Sequence, residues 1–188
     1  GVGLWALGRI EEAIARLANV SSAEGQAFLG QCYLEAGFYA RALEAFDGAS
    51  KGRAAVKHFA ALGHAEATLK SGNAGAAATE VRAILKAHPD DARAHYLLGY
   101  CHDHSGRYDD AIESYEAALE AVPGYPPAAF RLGFAYAMRG EEDKALEYYE
   151  SIASQDVTYL NALVNLAVVY EDRRDFQAAI RCYRRVLR

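Results

Sequence analysis

Proline is scarce in this chain, with four residues among 188. So few backbone stops, together with abundant alanine, favour helix over sheet. Cysteine is equally thin. Cys32, Cys101 and Cys182 are odd in number, widely spaced and form no C-x-x-C pair, so they read as reduced thiols in a cytoplasmic setting. No apolar run approaches the roughly 18 residues that a membrane helix needs, and a soluble protein is expected. A basic excess is missing too. Lys and Arg number 20 against 25 Asp and Glu, leaving a net charge of −5, whereas phosphate backbones call for a basic face. Direct nucleic-acid binding is therefore not expected. The opening "GVGLWALG" has no initiating Met and no basic segment before an apolar one. It reads as a cut inside a longer protein rather than a signal peptide. Catalytic signatures are absent as well, with no G-x-S-x-G, phosphate-binding glycine loop, H-E-x-x-H or paired cysteine motif. His58, His64, His88 and His95 are scattered along the chain and read as packing or surface residues. The expectation is a non-enzymatic protein with no cofactor.

What the chain does have is apolar content and order. Hydrophobic residues make up 52% of it, and the aromatics are 13 Tyr, 7 Phe and 1 Trp. Shifting the sequence by 34 residues aligns Leu98 with Leu132 and Leu166, and Gly106 with Gly140. It also aligns Ala77 with Ala111, Ala145 and Ala179, Tyr115 with Tyr149 and Tyr183, and Pro89 with Pro123. A period of this length marks a stacked repeat. One unit reads Leu98, Gly99, His102, Gly106, Ala111, Tyr115, Ala118 and Pro123. The next reads Leu132, Gly133, Tyr136, Gly140, Ala145, Tyr149 and Ile152.

This pattern resembles the tetratricopeptide repeat family. The resemblance implies an all-α, right-handed α-solenoid of stacked antiparallel helix pairs. A single array over 1–188 is expected, divided as 1–22 (the second half of a truncated repeat), 23–55, 56–90, 91–124, 125–158 and 159–188. The earlier repeats are looser: Leu29, Gly30, Tyr33, Gly37, Ala42, Phe46 and Ala49, then Leu62, Gly63, Gly72, Ala77, Val81, Ile84 and Pro89. In the last repeat Ala167 and Arg174 replace the two glycines. Physical reasoning gives each position a task. Gly99 and Ala111 let two helices cross closely, with Leu98, His102 and Tyr115 beside the crossing. Gly106 and Gly140 suit a turn with positive φ. Pro89 and Pro123 end the second helix, and Asp90 or Asp91 caps the next. Two extra residues and the alanine-rich "KSGNAGAAATEV", residues 70–81, predict a kink or looser packing there.

In the resembled family the first helices line a concave groove. Carried onto this sequence, the groove positions hold Tyr96, Tyr100, Phe130, Phe134, Val164 and Val168, with Met138 near the helix end. Members of each pair lie at i, i+4 and share a helix face. Such an apolar stripe marks a contact surface for an apolar peptide or helix. Glu35, Asp103, Glu171 and Asp172 fall where they could form an acidic lip, while Lys57, Arg93 and Arg131 lie nearer the helix starts and read as solvated charges. A carboxylate clamp of Lys, Asn and Arg is not met: Tyr96, Tyr100, Asn161 and Asn165, or one frame earlier Ala60 and His64, stand in its places.

Cys101, His102, Asp103 and His104 form a run of good metal ligands. On a helix His102 and His104 point roughly 200° apart, and a structural site wants four ligands. No metal is expected; instead His102 takes the inward position of Tyr136 and Tyr170, and Asp103 and His104 reach the groove lip. Two alternatives remain. The ends, around Leu4, Trp5 and Leu7 and around Ile180, Tyr183, Val186 and Leu187, lack a polar cap, so a homodimer through terminal helices is one. The other is that the last repeats, beginning "PPAAFRLGFAYAMRG", are similar to bacterial repeat regions preceding a domain like the RNA polymerase α C-terminal domain.

Overall fold

The computed structural model describes residues 9–155 and 160–187; Leu4, Trp5 and Leu7 lie outside them. Among the described residues there are eleven α-helices and no strand. The chain divides into two compact units, the first ending at Pro89 and the second beginning at Asp90. The first holds α1 (Ile10–Leu17), α2 (Ala23–Glu35), α3 (Tyr39–Ala49), α4 (Ala54–Lys70) and α5 (Ala74–Ala87). The second holds α6 (Ala92–His104), α7 (Tyr108–Ala121), α8 (Pro126–Met138), α9 (Glu142–Gln155), α10 (Leu160–Asp172) and α11 (Phe176–Val186). In each unit every helix packs on the next. In the second unit α6 also touches α8, and α8 touches α10, so the first helices of successive pairs are neighbours.

Helix boundaries follow from local chemistry. Ser22, Asn73, Asp91 and Asp175 each accept a backbone N–H three residues on, from Gly25, Ala76, Ala94 and Ala178. These side chains satisfy amides that a first turn leaves without partners. Of the two aspartates expected to cap α6, Asp91 does so. Between paired helices the chain turns through the left-handed region at Gly37 (φ 79°), Gly72 (97°), Gly106 (70°) and Gly140 (75°). Arg174 adopts the same conformation (φ 61°) in the repeat that lacks a glycine there.

Close packing of α6 on α7 and of α8 on α9 rests on a glycine facing a ring. A Cβ added at Gly99 would stand 2.6 Å from Tyr115, and at Gly133 2.8 Å from Tyr149. Both rings are almost fully buried. They sit in one continuous core that runs from Ala111 to Cys182. In the first unit a single ring serves twice, since Phe46 lies against both Gly30 and Gly63. The reason is visible in α5, where Val81 stands in the place of the tyrosines and is too short to reach across. Beside the crossing in the second unit, Leu97 is more deeply buried than Leu98, which is half-buried.

The first helix of the third repeat is longer: α4 has 17 residues where α6, α8 and α10 have 13. The two extra residues between Gly63 and Gly72 supply half of the difference, and an earlier start relative to Gly63 supplies the rest. Within the alanine-rich segment, residues 71–73 form the turn between helices, and from Ala74 on it belongs to α5, which buries Ala77, Ala78 and Val81.

A Cβ at Gly106 or Gly140 meets nothing within 4 Å, so substitution there costs only backbone strain. Gly106→Ala and Gly140→Ala should each lower stability by about 1–2 kcal/mol. Arg174→Gly should raise it by up to about 1 kcal/mol, the strain relief being partly offset by unfolded-chain entropy. Gly99→Ala forces a buried ring to move and should cost about 1–3 kcal/mol. Urea unfolding of the variants checks all of these, and a neutral Gly99→Ala would refute the close-crossing account.

Candidate functional site

The first helices of the second unit carry a face of mixed aromatic and aliphatic side chains. Tyr96 and Tyr100 come from α6, Phe130, Phe134 and Met138 from α8, and Val164 and Val168 from α10. Met138 is 53% exposed, Val168 44% and Val164 37%. Tyr96, Tyr100, Phe130 and Phe134 are half-buried. The rings interlock: Tyr96 lies 6.1 Å from Tyr100, 6.0 Å from Tyr115 and 6.0 Å from Tyr125. Phe130 lies 5.9 Å from Tyr149, repeating the Tyr96–Tyr115 contact one repeat later. The rings on α6 and α8 are thus supported from below by the tyrosines that fill the helix crossings.

Polar groups under the stripe also follow the repeat. The Tyr115 hydroxyl donates to Asp103 at 3.3 Å, and the Tyr183 hydroxyl to Glu171 at 3.2 Å. In the middle repeat Ala137 occupies the carboxylate position, and the Tyr149 hydroxyl instead accepts from Asn165 at 3.2 Å. Burial pushes the Tyr149 phenol up to about 12. Tyr115 is also pushed up, first by burial and then by the Asp103 charge. These hydroxyls stay protonated at neutral pH.

Asp103 is not an open lip residue. Its side chain is 5% exposed, and Arg131 Nη1 donates to its carboxylate at 3.4 Å. The Arg131 guanidinium carbon lies 4.0 Å from the centroid of the Tyr100 ring. Arg131 is thus no ordinary solvated charge; it is three-quarters buried in the aromatic stripe and neutralises the carboxylate beneath. Its cationic head over the ring face is a favourable electrostatic arrangement. The same register places Leu97 and Asn165 one repeat away on either side, so the helical period locates the position, while the identity of its partner depends on packing. His104 is exposed and its ring lies 4.6 Å from Tyr100. Glu171 and Asp172 are exposed at the end of α10; Glu35 is exposed on α2 of the first unit, and Lys57 on α4.

The run Cys101–His104 disperses as its helical geometry requires. Cys101 and His102 are buried, and His102 Nδ1 lies 3.4 Å from Ser114 Oγ. Asp103 turns to Arg131 and His104 outward. Among the described residues no cluster of three or more ligands is placed to hold a metal ion, and no helix is long and apolar enough to cross a membrane.

The first unit has a different concavity. A cavity of about 770 Å³ opens between α3, α4 and α5, lined among others by Phe46, Lys57, His58, His64, Ile84 and His88. Three histidines that look scattered in sequence meet here. Glu80 ties one wall together, accepting from Thr68 at 3.2 Å and lying 2.8 Å from His64 Nδ1. Alanines at positions 60, 61, 83 and 87 line the space; residues 70–81, where the sequence predicts a kink or looser packing, contribute only Glu80 to it and bury Ala77, Ala78 and Val81.

Stacked helix pairs whose first helices share one face define a class of helical-repeat scaffold. Three sequence profiles, each described as tetratricopeptide repeat, match residues 62–126, 104–158 and 162–188. The chain belongs to the tetratricopeptide repeat family, an α-solenoid family of generally non-catalytic protein-interaction scaffolds. No curated protein matches the sequence. Among solved structures, a thermophilic TPR protein of Thermus thermophilus superposes with a TM-score of 0.75 at 22% identity, covering 88% of this chain and 90% of that one. A crystal structure of MamA gives 0.68 at 22% identity over 85% and 92% of the two chains. MamA from Desulfovibrio magneticus RS-1 gives 0.62 at 26% over 80% and 88%. These likenesses bear on the fold. The narrower polymerase-linked resemblance of the last repeats is not among the matches.

Burial raises the Asp103 carboxyl above its ordinary value, against the lowering effects of Arg131 and Tyr115. The two hydrogen bonds are long, so desolvation wins. A carboxylate that binds its proton more tightly when folded makes stability fall as pH rises from roughly 4 through its folded pKa. Asp103→Asn removes that dependence. The variant should gain stability relative to the parent chain on going from pH 4 to pH 7 in urea titrations; a gap that moves the other way would refute the assignment.

Proposed function

We propose that the second unit binds an apolar peptide or amphipathic helix of another protein along the stripe formed by Tyr96, Tyr100, Phe130, Phe134, Met138, Val164 and Val168. The observation that supports this most directly is the run of exposed aliphatics, Met138, Val164 and Val168, continuing from half-buried rings on adjacent first helices. Contiguous apolar surface of this kind is costly to leave in water. In repeat arrays each unit needs only its neighbours for stability, which frees such a face for a partner.

Asp103 takes a different part in this reading from the acidic lip residues. It holds Arg131 flat on Tyr100, and the pair stiffens the α6–α8 end of the stripe. Asp172, exposed at the other end, would meet a basic residue of the ligand beside Glu171, which already accepts from Tyr183. A ligand would thus lay apolar side chains across Phe134 and Val168 and direct a cation towards the end of α10. The protein is a binding scaffold in this account and performs no reaction.

Burying one aromatic anchor contributes roughly 1.5–3 kcal/mol. For a partner recovered by affinity capture and then purified, titration calorimetry should show that Phe134→Ala weakens binding about ten-fold or more, with Tyr100→Ala acting in the same direction. Unchanged affinity in the double variant would remove the groove reading.

A further inference from the structure

The cavity between α3, α4 and α5 lies where the second unit places larger, apolar side chains. α4 ends at Lys70 and α8 at Met138, so counting back from those ends pairs His64 with Leu132 and Lys57 with Tyr125. Phe46 lies on Gly30 as Tyr115 lies on Gly99. Four residues beyond each ring stand Ser50 and Leu119. Leu132 is fully buried, and Leu119 and Tyr125 pack against the same core. Three bulky positions of the second unit are thus polar in the first, and Ser50, Lys57 and His64 all line the opening. Unfilled space beside Phe46, Ile84 and alanine methyls costs stability. Its volume of about 770 Å³ is that of a small-molecule site.

The polar lining is sorted by charge along α4. Towards the middle of the helix His64 sits between two acids, with Glu80 2.8 Å from Nδ1 and Asp47 3.8 Å from Nε2. Glu80 also accepts from Thr68 at 3.2 Å, and the Asp47 side chain is 77% exposed. Those acids are matched within the unit or turned to water. Nearer the start of α4 the polar lining carries nitrogen. Lys57 and His58 come from α4 and His88 from the end of α5, and the two imidazoles lie 4.4 Å apart. Lys57 makes no ion pair among the described residues. Ala61, Ala83, Ile84 and Ala87 supply the apolar wall.

We propose that this cavity binds a small amphipathic carboxylate, a medium-chain fatty acid in its simplest form. The apolar tail lies along the alanines, Ile84 and Phe46. The carboxylate head accepts from the Lys57 ammonium and from imidazole N–H groups of His58 and His88. From Lys57 to His64 the helix rises about 10 Å, a span that such a tail covers. An amine of the same shape is a poorer guest, because the one acid facing inward, Glu80, already serves Thr68 and His64. The site belongs wholly to the first unit and does not rest on the groove of the second.

The test is titration calorimetry of the 188-residue chain with octanoate, below the concentration at which it forms micelles. Octanoate should bind saturably at one site, about ten-fold or more tighter than octylamine or octanol, which share its tail. Lys57→Glu, at an exposed position, should reverse the order of octanoate and octylamine. Ser50→Leu installs the residue of the second unit and should block octanoate without lowering the melting temperature. If Ser50→Leu fails to fold, Lys57→Glu decides by itself. Phe134→Ala should leave binding intact. The proposal fails if octanoate does not bind, if octylamine or octanol binds as tightly, or if Lys57→Glu leaves the order alone. Loss of octanoate binding in Phe134→Ala would move the ligand to the groove and overturn it. Tighter binding of acetyl-trileucine with a free carboxyl group would also overturn it, assigning the cavity to the chain end of a protein partner.

Discussion

The contact of a helix glycine with an aromatic ring sets the geometry from which the rest of the second unit follows. Gly99 against Tyr115 and Gly133 against Tyr149 leave no room for even a methyl group. Axis separation between packed helices depends on the side chains at the crossing. Close crossings bring the rings fully into the core and leave only their hydroxyls near the face of the first helices. Those hydroxyls decide what polar groups sit beneath the apolar stripe.

From that constraint come both order and variation in the site. Where a carboxylate stands twelve residues before the tyrosine, as at Asp103 and Glu171, it accepts the hydroxyl. Where Ala137 stands there, an amide from the next first helix takes over. Asp103 is the most enclosed of these acceptors, and a buried carboxylate is expensive without a counter-charge. Arg131 supplies one while lying over Tyr100, so a charge pair and a ring stack rigidify the same end of the stripe.

The first unit shows what happens when the ring is missing. With Val81 in the tyrosine position, Gly63 borrows Phe46 from the preceding pair. Alanines replace larger residues around it, and the space appears as a cavity of about 770 Å³ rather than as collapse. Helices are stiff on this scale, so a local loss of volume opens a concavity more readily than it bends the backbone. His58, His64 and His88 gather at its wall for that reason, although nothing in their spacing along the chain suggests it.

The sequence by itself determined the repeat, its helix pairs, the turn positions and the inward place of His102, because each depends on a 34-residue period and on local backbone preferences. Even Arg174, which breaks the glycine rule, was placed by register in the turn where it adopts positive φ. The face shared by Tyr96, Tyr100, Phe130, Phe134, Val164 and Val168 was legible in the same way. Only the tertiary structure decided that Asp103 is buried and paired, that Arg131 lies on Tyr100, and that three histidines share a cavity. These depend on distances between helices far apart in sequence. Side-chain volume and desolvation at each crossing set those distances, and a periodic pattern carries no measure of either.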